Sequence, residues 1–356
     1  LVCSGFLMIR FGPAGIPLSC KGRTLKDGIE DVHGLGLNAM EVQMVRVNVM
    51  PRSPDDEEVG KTPRQIDGDL VVEIHRKKGK KDVQITNLDE KIKEDDTLIS
   101  LSSGLAHNYD ELQKLGVMGA ELDVALSMHT PYYIDLAGEG DLTRKSMDSI
   151  RWAGMMTQAM GGNMVVTHMG LYGNISHREA AENISDRLEE IVTWWEKNKL
   201  TPRLGLETSG RKEVFGGLDE IVELCDKFEV LSPVVNFAHY HARNNGMLRE
   251  PEDFAEAFDQ VKSYVGDLHY THFSGVEHEG GNERRVTPIK KGDLRFEPMA
   301  EFLADANLNA TIISSSPLLE HDAMYMKVIY ERVMTKRVTK DIKVKKGKGA
   351  KDEDDE

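Results

Sequence analysis

Short apolar runs and helix-periodic runs alternate along nearly the whole chain. The apolar runs are RFGPAGIPL, AMEVQMV, ALSMHTPYY, NMVVTHMG, RLGLETSG, PVVNFAH, LHYTHFSG and ATIISSS. Their length and their β-branched and aromatic content suit buried strands. Between them, residues 24–35, 141–160, 177–198, 217–228, 251–264, 296–306 and 321–336 carry apolar positions at helical spacing, and another such stretch starts near Asn108. Ser176 followed by Glu179 opens a helix as a capping box, and Pro251 stands where a first helical turn tolerates it. Eight strand–helix beats predict an α/β fold, a (β/α)8 TIM barrel over residues 1–337.

One connection breaks the rhythm. Residues 47–107 follow the second strand and are too long for a simple loop. Within them DLVVEIHRKK and DVQITNL alternate apolar and polar positions about the turn KKGKK, which predicts a β-hairpin with one wet face. His75 reads as a surface residue. Because this β-rich insertion leaves from a strand's C-terminal end, it is expected above the barrel mouth as a substrate-side cover. A short linker in place of residues 53–104 is then expected to leave a folded, metal-binding barrel.

Composition narrows the class. Hydrophobic residues make up 40% and charged residues 29%, the balance of a globular protein. No run approaches the roughly 20 apolar residues of a membrane span, and the start LVCSGFLMIRFG lacks the basic segment of a signal peptide. A cytoplasmic location without membrane attachment is expected, and the oligomeric state is left open. Cys3, Cys20 and Cys225 are too scattered for a disulfide framework or a Cys-x-x-Cys site; Cys225 reads as a small buried hydrophobe beside Leu218, Ile221, Val222 and Phe228. The net charge of −15 argues against bulk electrostatic binding of nucleic acid, while leaving room for a local basic rim. Residues 338–356, ending KVKKGKGAKDEDDE, read as a solvated, disordered charged tail.

In such a barrel the chemistry collects at the C-terminal ends of the strands. Those ends deliver His129, His168, Glu207, Asn236, His239, His272 and Ser315. Singly, each is an ordinary hydrogen-bonded rim residue. Together, histidines and a glutamate at one mouth are the ligand types of a catalytic zinc site.

At these residues the chain resembles endonuclease IV, the zinc-dependent abasic-site nuclease family within the xylose isomerase-like barrels. The resemblance spans most of the barrel, without the insertion and tail. It is carried in order by FGPAGIPLS, MHTPYY, THMG, LETSG, NFAH and THFSG. It implies that His129 and His168 hold one metal ion, that Glu207 bridges to a second and is central to catalysis, that His272 holds the second ion and His239 a third, and that Tyr132 contacts DNA at the lesion. One to three Zn2+ ions, or Mn2+, and damaged double-stranded DNA are the implied cofactor and partner. The implied reaction is hydrolysis of the phosphodiester 5′ to an abasic site in base-excision repair. Arg284 and Arg285 are expected to meet phosphate.

The chain also departs from that pattern. Asn236 stands where the family has a carboxylate, and Ser315 or Ser314 where it has a glutamate. After the seventh strand HEGGNERRVTPI offers only Glu283, Glu279 and His278 as substitute ligands. Two alternatives therefore stand beside the nuclease. One is a xylose isomerase-like isomerase or epimerase of a small sugar, for which the carboxylate acid–base pair is incomplete. The other is a non-catalytic protein that binds lesions or metal.

Overall fold

The computed structural model describes residues 8–45, 47–102 and 104–349, with side chains up to residue 339. Residues 1–7, with Cys3, and the end of the charged tail, residues 350–356, lie outside them.

Strand β1 (Ile9–Pro13) leads into helix α1 (Leu25–Gly34), which Thr24 and Asp27 cap reciprocally, and then into β2 (Ala39–Gln43). The insertion carries β3 (Asn48–Arg52), β4 (Leu70–Lys78), β5 (Lys81–Ile85) and β6 (Thr97–Ser102). The strand–helix alternation then resumes with α2 (Tyr109–Glu121), β7 (Ala125–His129), α3 (Asp141–Ala159), β8 (Met164–Thr167), α4 (His177–Lys197), β9 (Arg203–Glu207) and α5 (Leu218–Cys225). It continues with β10 (Leu231–Asn236), α6 (Phe237–Arg243), α7 (Pro251–Val261) and β11 (His269–Phe273). A hairpin of β12 (Gly275–Glu279) and β13 (Asn282–Thr287) precedes α8 (Glu297–Asp305), β14 (Ala310–Ser314) and α9 (Glu320–Gly349). No helix among the described residues is long and apolar enough to cross a membrane.

Eight strands form one parallel sheet in the order β1-β14-β11-β10-β9-β8-β7-β2. Its two end strands meet through Asn38, which accepts from the Phe11 N–H at 2.9 Å and donates its own N–H to the Phe11 carbonyl at 3.1 Å. Gly12 is required there, since a Cβ on it would stand 1.8 Å from the carbonyl oxygen of Ala39. The fold is thus the (β/α)8 barrel that the alternation predicts.

The period of two along each strand sorts side chains into two layers. Ala39, Met164, Val166, Val234, Tyr270 and Ile313 fill the barrel interior. Met40, Val42, Leu126, Met128, Val165, Leu204 and Leu206 face the helices and join the larger core. Two residues beyond the interior set, in phase with it, come Glu41, His168, Asn236, His272 and Ser315. The packing of the interior therefore aims the polar ends into the mouth.

The insertion is not a cover over that mouth. Its strands form an antiparallel sheet in the order β3-β6-β4-β5 that lies against the outer helices. Leu70, Val72, Ile99 and Leu101 join the barrel core with Tyr109, Leu112, Met147 and Trp152, while Ile66, Val71, Ile74, Ile92 and Leu98 make a small core of their own. Val71 accepts from the Tyr109 hydroxyl at 3.2 Å, and Thr86 accepts from the Trp194 indole at 3.2 Å. The apolar face of β4 and β6 needs a partner, and the flank formed by α2 and α3 supplies it. Burial outweighs the expectation drawn from where the insertion departs. The expected hairpin is present as β4 and β5, and His75 on it is exposed.

Glu73, buried on β4, accepts from the Trp152 indole N–H at 2.8 Å. Glu73→Ala leaves that N–H buried without a partner and is expected to cost about 1–3 kcal/mol. Urea unfolding of the variant checks this; an unchanged midpoint would show that the bond does not anchor the insertion.

Helix α9 runs on through residues 338–349. Helix α6 and the β12–β13 hairpin were not foreseen, because α6 has only seven residues and the hairpin's polar composition hides its alternation.

Candidate functional site

Three consecutive strand ends bring His129, His168 and Glu207 together, with one candidate ligand atom from each lying within 4.8 Å of the others. His129 Nε2 is 2.9 Å, and His168 Nδ1 3.2 Å, from Glu207 Oε2. His129 Nδ1 stands 2.7 Å from the Thr130 carbonyl, which can only accept. That nitrogen therefore carries hydrogen, and in the neutral ring the lone pair of Nε2 points at a carboxylate oxygen. Two acceptors facing each other call for a proton or a cation between them, and an outer N–H anchored on a carbonyl is the usual support of a ligating histidine.

The electrostatics suit this reading. Burial pushes His168 down to about 4, so its imidazole is neutral, the form that ligates metal. Burial works to lower His129 too, but its hydrogen bond to Glu207 and the charges of Glu41 and Glu207 raise it on balance. Burial works to raise Glu207, yet the surrounding histidines hold it well below the usual carboxylate range. Two imidazole nitrogens and one ionised carboxylate oxygen are a donor set that fits a divalent transition metal.

The other oxygen of Glu207 has different company. Oε1 accepts from Asn236 Nδ2 at 2.9 Å and lies 2.8 Å from His272 Nδ1, with His239 Nε2 at 3.8 Å. His272 Nε2 in turn lies 2.7 Å from Oε2 of Glu41, a buried residue on β2 that also accepts from the Tyr270 hydroxyl at 2.9 Å and the Gln43 amide at 2.8 Å. Burial alone would lower His272, but the carboxylates at its two nitrogens raise it to about 10. His239 Nδ1 stands 2.5 Å from Glu283 Oε2. Burial lowers His239, and its bond to Glu283 more than offsets this.

Glu41 lines the candidate site and is a residue that the sequence reading missed. Its signal was a glutamate at an inward position of a barrel strand, between Met40 and Val42, which face the helices. Arg211, just past the end of β9, was missed as well.

Two adjoining cavities open at the mouth. One, of about 320 Å3, is lined by Glu41, His129, His168, Glu207, Asn236, His239, His272 and Ser315. The other, of about 570 Å3, runs outward over Tyr133, Leu142, Leu171, Arg211 and Glu283. Tyr132, His168 and His239 border both. Tyr132 is 84% exposed. Among the described residues, none of the insertion's strands contributes to either lining.

Arg284 and Arg285 do not line these cavities. They are exposed on β13 and pair with Glu279 and Glu277 of the same hairpin, each at 2.7 Å; Arg211 is the cavity's arginine. Asn236 faces the site with its amide nitrogen, because its oxygen accepts from the N–H groups of Ala238 and His239 and so caps α6. The Ser315 hydroxyl is buried and has no hydrogen-bond partner among the described residues.

His241, His278 and Asp293 form a second group of close ligand atoms. The Leu248 N–H donates to His241 Nδ1 at 3.2 Å, which leaves the hydrogen of the neutral ring on Nε2, toward Asp293 at 3.3 Å. That tautomer has no lone pair to offer an ion at Nε2.

Comparison with known proteins agrees with this architecture. An uncharacterized protein of Methanocaldococcus jannaschii is 29% identical over 236 residues, covering 65% of this chain and 85% of the relative. Among solved structures, endonuclease IV from Thermus thermophilus superposes with a TM-score of 0.55 at 16% identity, over 91% of this chain and 99% of that one. A D-tagatose 3-epimerase-like protein superposes with a TM-score of 0.51 at 21% identity, over 64% and 85%. At these identities the two structures attest to the fold alone. Residues 101–319, more than half of the chain and including every strand end that builds the site except that of β2, match the profile of the xylose isomerase-like TIM barrel, and the chain belongs to that family.

Proposed function

We propose that this protein is a metal-dependent hydrolase of the endonuclease IV type, which cleaves DNA 5′ to abasic sites, with His129, His168 and Glu207 as the ligands of its ion. The observation that carries the proposal is the convergence of two neutral-capable imidazoles and an ionised carboxylate at one mouth. A divalent ion held there would supply Lewis-acid chemistry, neutralising charge on a phosphodiester and making water more acidic. The chain's own residues do the rest. Thr130 fixes the His129 ring. Tyr132 and Leu171 present an exposed apolar rim on which a base or sugar can rest, and Arg211 offers a cation beside it.

The test is incision of a duplex carrying a tetrahydrofuran lesion, with zinc or manganese supplied. Incision 5′ to the lesion, abolished by a strong chelator and restored by added metal, is the expected result. A folded, metal-loaded protein that leaves the lesion strand intact would end the proposal.

One observation favours a second reading, a sugar epimerase. Glu41 and Glu207 line the same cavity of about 320 Å3, so two carboxylates face a space of sugar size. Deuterium uptake from solvent into a ketose, followed by NMR, would favour it over the nuclease.

A further inference from the structure

We infer that this mouth takes one divalent ion and not two, because Asn236 presents its N–H face to the oxygen of Glu207 that a second ion would use. The inference rests on the metal-dependent reading above and deepens it.

Glu207 divides its two oxygens. Oε2 faces His129 and His168 and completes the three-ligand group. Oε1 faces the amide nitrogen of Asn236 and Nδ1 of His272. A second ion shared through Oε1 would need further lone pairs on that side, and a carboxylate to balance its charge.

Asn236 supplies neither. Its Oδ1 accepts from the Ala238 N–H at 3.1 Å and the His239 N–H at 3.4 Å, which caps the first turn of α6. Turning the amide over would set its NH2 against two backbone N–H donors and leave all of them without an acceptor. The cap therefore decides which end of the amide faces Glu207, and an NH2 group is a donor with no lone pair for a metal.

No neighbour makes up the missing charge: His239 Nε2, 3.8 Å from Oε1, offers a neutral lone pair at most, and Glu283 stands behind that ring at Nδ1. The Ser315 hydroxyl, just beyond β14, is neutral. Glu41 lies across the His272 ring from Glu207 and is already engaged by Tyr270 and Gln43. It holds His272 in place from behind and does not face Oε1.

Asn236→Asp tests this directly, since aspartate caps a helix as well as asparagine and would turn an oxygen toward the second position. The full-length chain and the variant are loaded with excess zinc, desalted, and analysed for zinc per folded chain. Ions retained by Glu207→Gln are subtracted as background. The expected result is one ion for the natural chain and two for Asn236→Asp, with a second binding event by calorimetry in the variant alone. Two ions in the natural chain, or one in a variant whose circular dichroism is unchanged, would overturn the inference and leave the metal-dependent reading standing. No ion in the natural chain would overturn both, whatever the incision assay returns.

Discussion

Glu207→Gln should abolish the proposed metal binding, lowering metal affinity by more than about 100-fold, with a loss of the proposed lesion incision at least as large. Removing a mere outer support of a metal site already costs about 10–100-fold, and here the change removes a ligand and its negative charge together. Glu207 is buried and stands between His129 and His168 on one oxygen and Asn236 and His272 on the other, so the whole polar cluster is organised about it. Glutamine has the same shape and can still accept through its single oxygen, which lets the barrel fold. Its NH2 group must face one of the two sides and cannot bind a cation there. Metal analysis after desalting, a melting curve and the incision assay together check the expectation. A folded variant that keeps stoichiometric metal would remove Glu207 from the ligand set.

Replacing residues 53–104 with a glycine-serine linker should abolish folding. The segment contributes Leu70, Val72, Ile99 and Leu101 to the common core. Full burial of an aliphatic side chain is worth about 1.5–3 kcal/mol, so losing these four forfeits roughly 6–12 kcal/mol. That is comparable to the roughly 5–15 kcal/mol of net stability a domain possesses. The deletion also uncovers Tyr109, Leu112 and Trp152 on the barrel flank and leaves the Trp152 indole unpaired. Insoluble expression, or a soluble product without a cooperative melt, is the expected outcome. A deletion product that melts cooperatively would mean that α2 and α3 can repack without the sheet, and the insertion would then be an appendage.

The depth to which the sequence could be read follows from the range of the interactions involved. Strand and helix periods are local, so the eight repeats appear in the order of residues alone. So does the arrival of His168, Asn236, His272 and Ser315 at the mouth, because the apolar interior residue two positions before each sets the phase; His129 and Glu207 close their strands, whereas the structure places His239 on α6. The hairpin of β4 and β5 was legible for the same reason, through its alternation about KKGKK.

Contacts between distant segments were decided elsewhere. Glu41 became part of the site when the barrel brought β2 opposite β11, a meeting across 231 positions of sequence that no local pattern records. Arg284 and Arg285 were drawn to glutamates of their own hairpin, and Arg211 was left to line the cavity. The insertion was placed by whichever apolar surface lay unpaired, and that surface was the flank of α2 and α3. By itself the sequence determined the barrel and the residue types at its mouth, because alternation and periodicity act over a few residues. Only the tertiary structure decided that Asn236 faces Glu207 with hydrogens in place of a lone pair, because the orientation of one amide depends on a helix cap and a carboxylate that meet only in the folded chain.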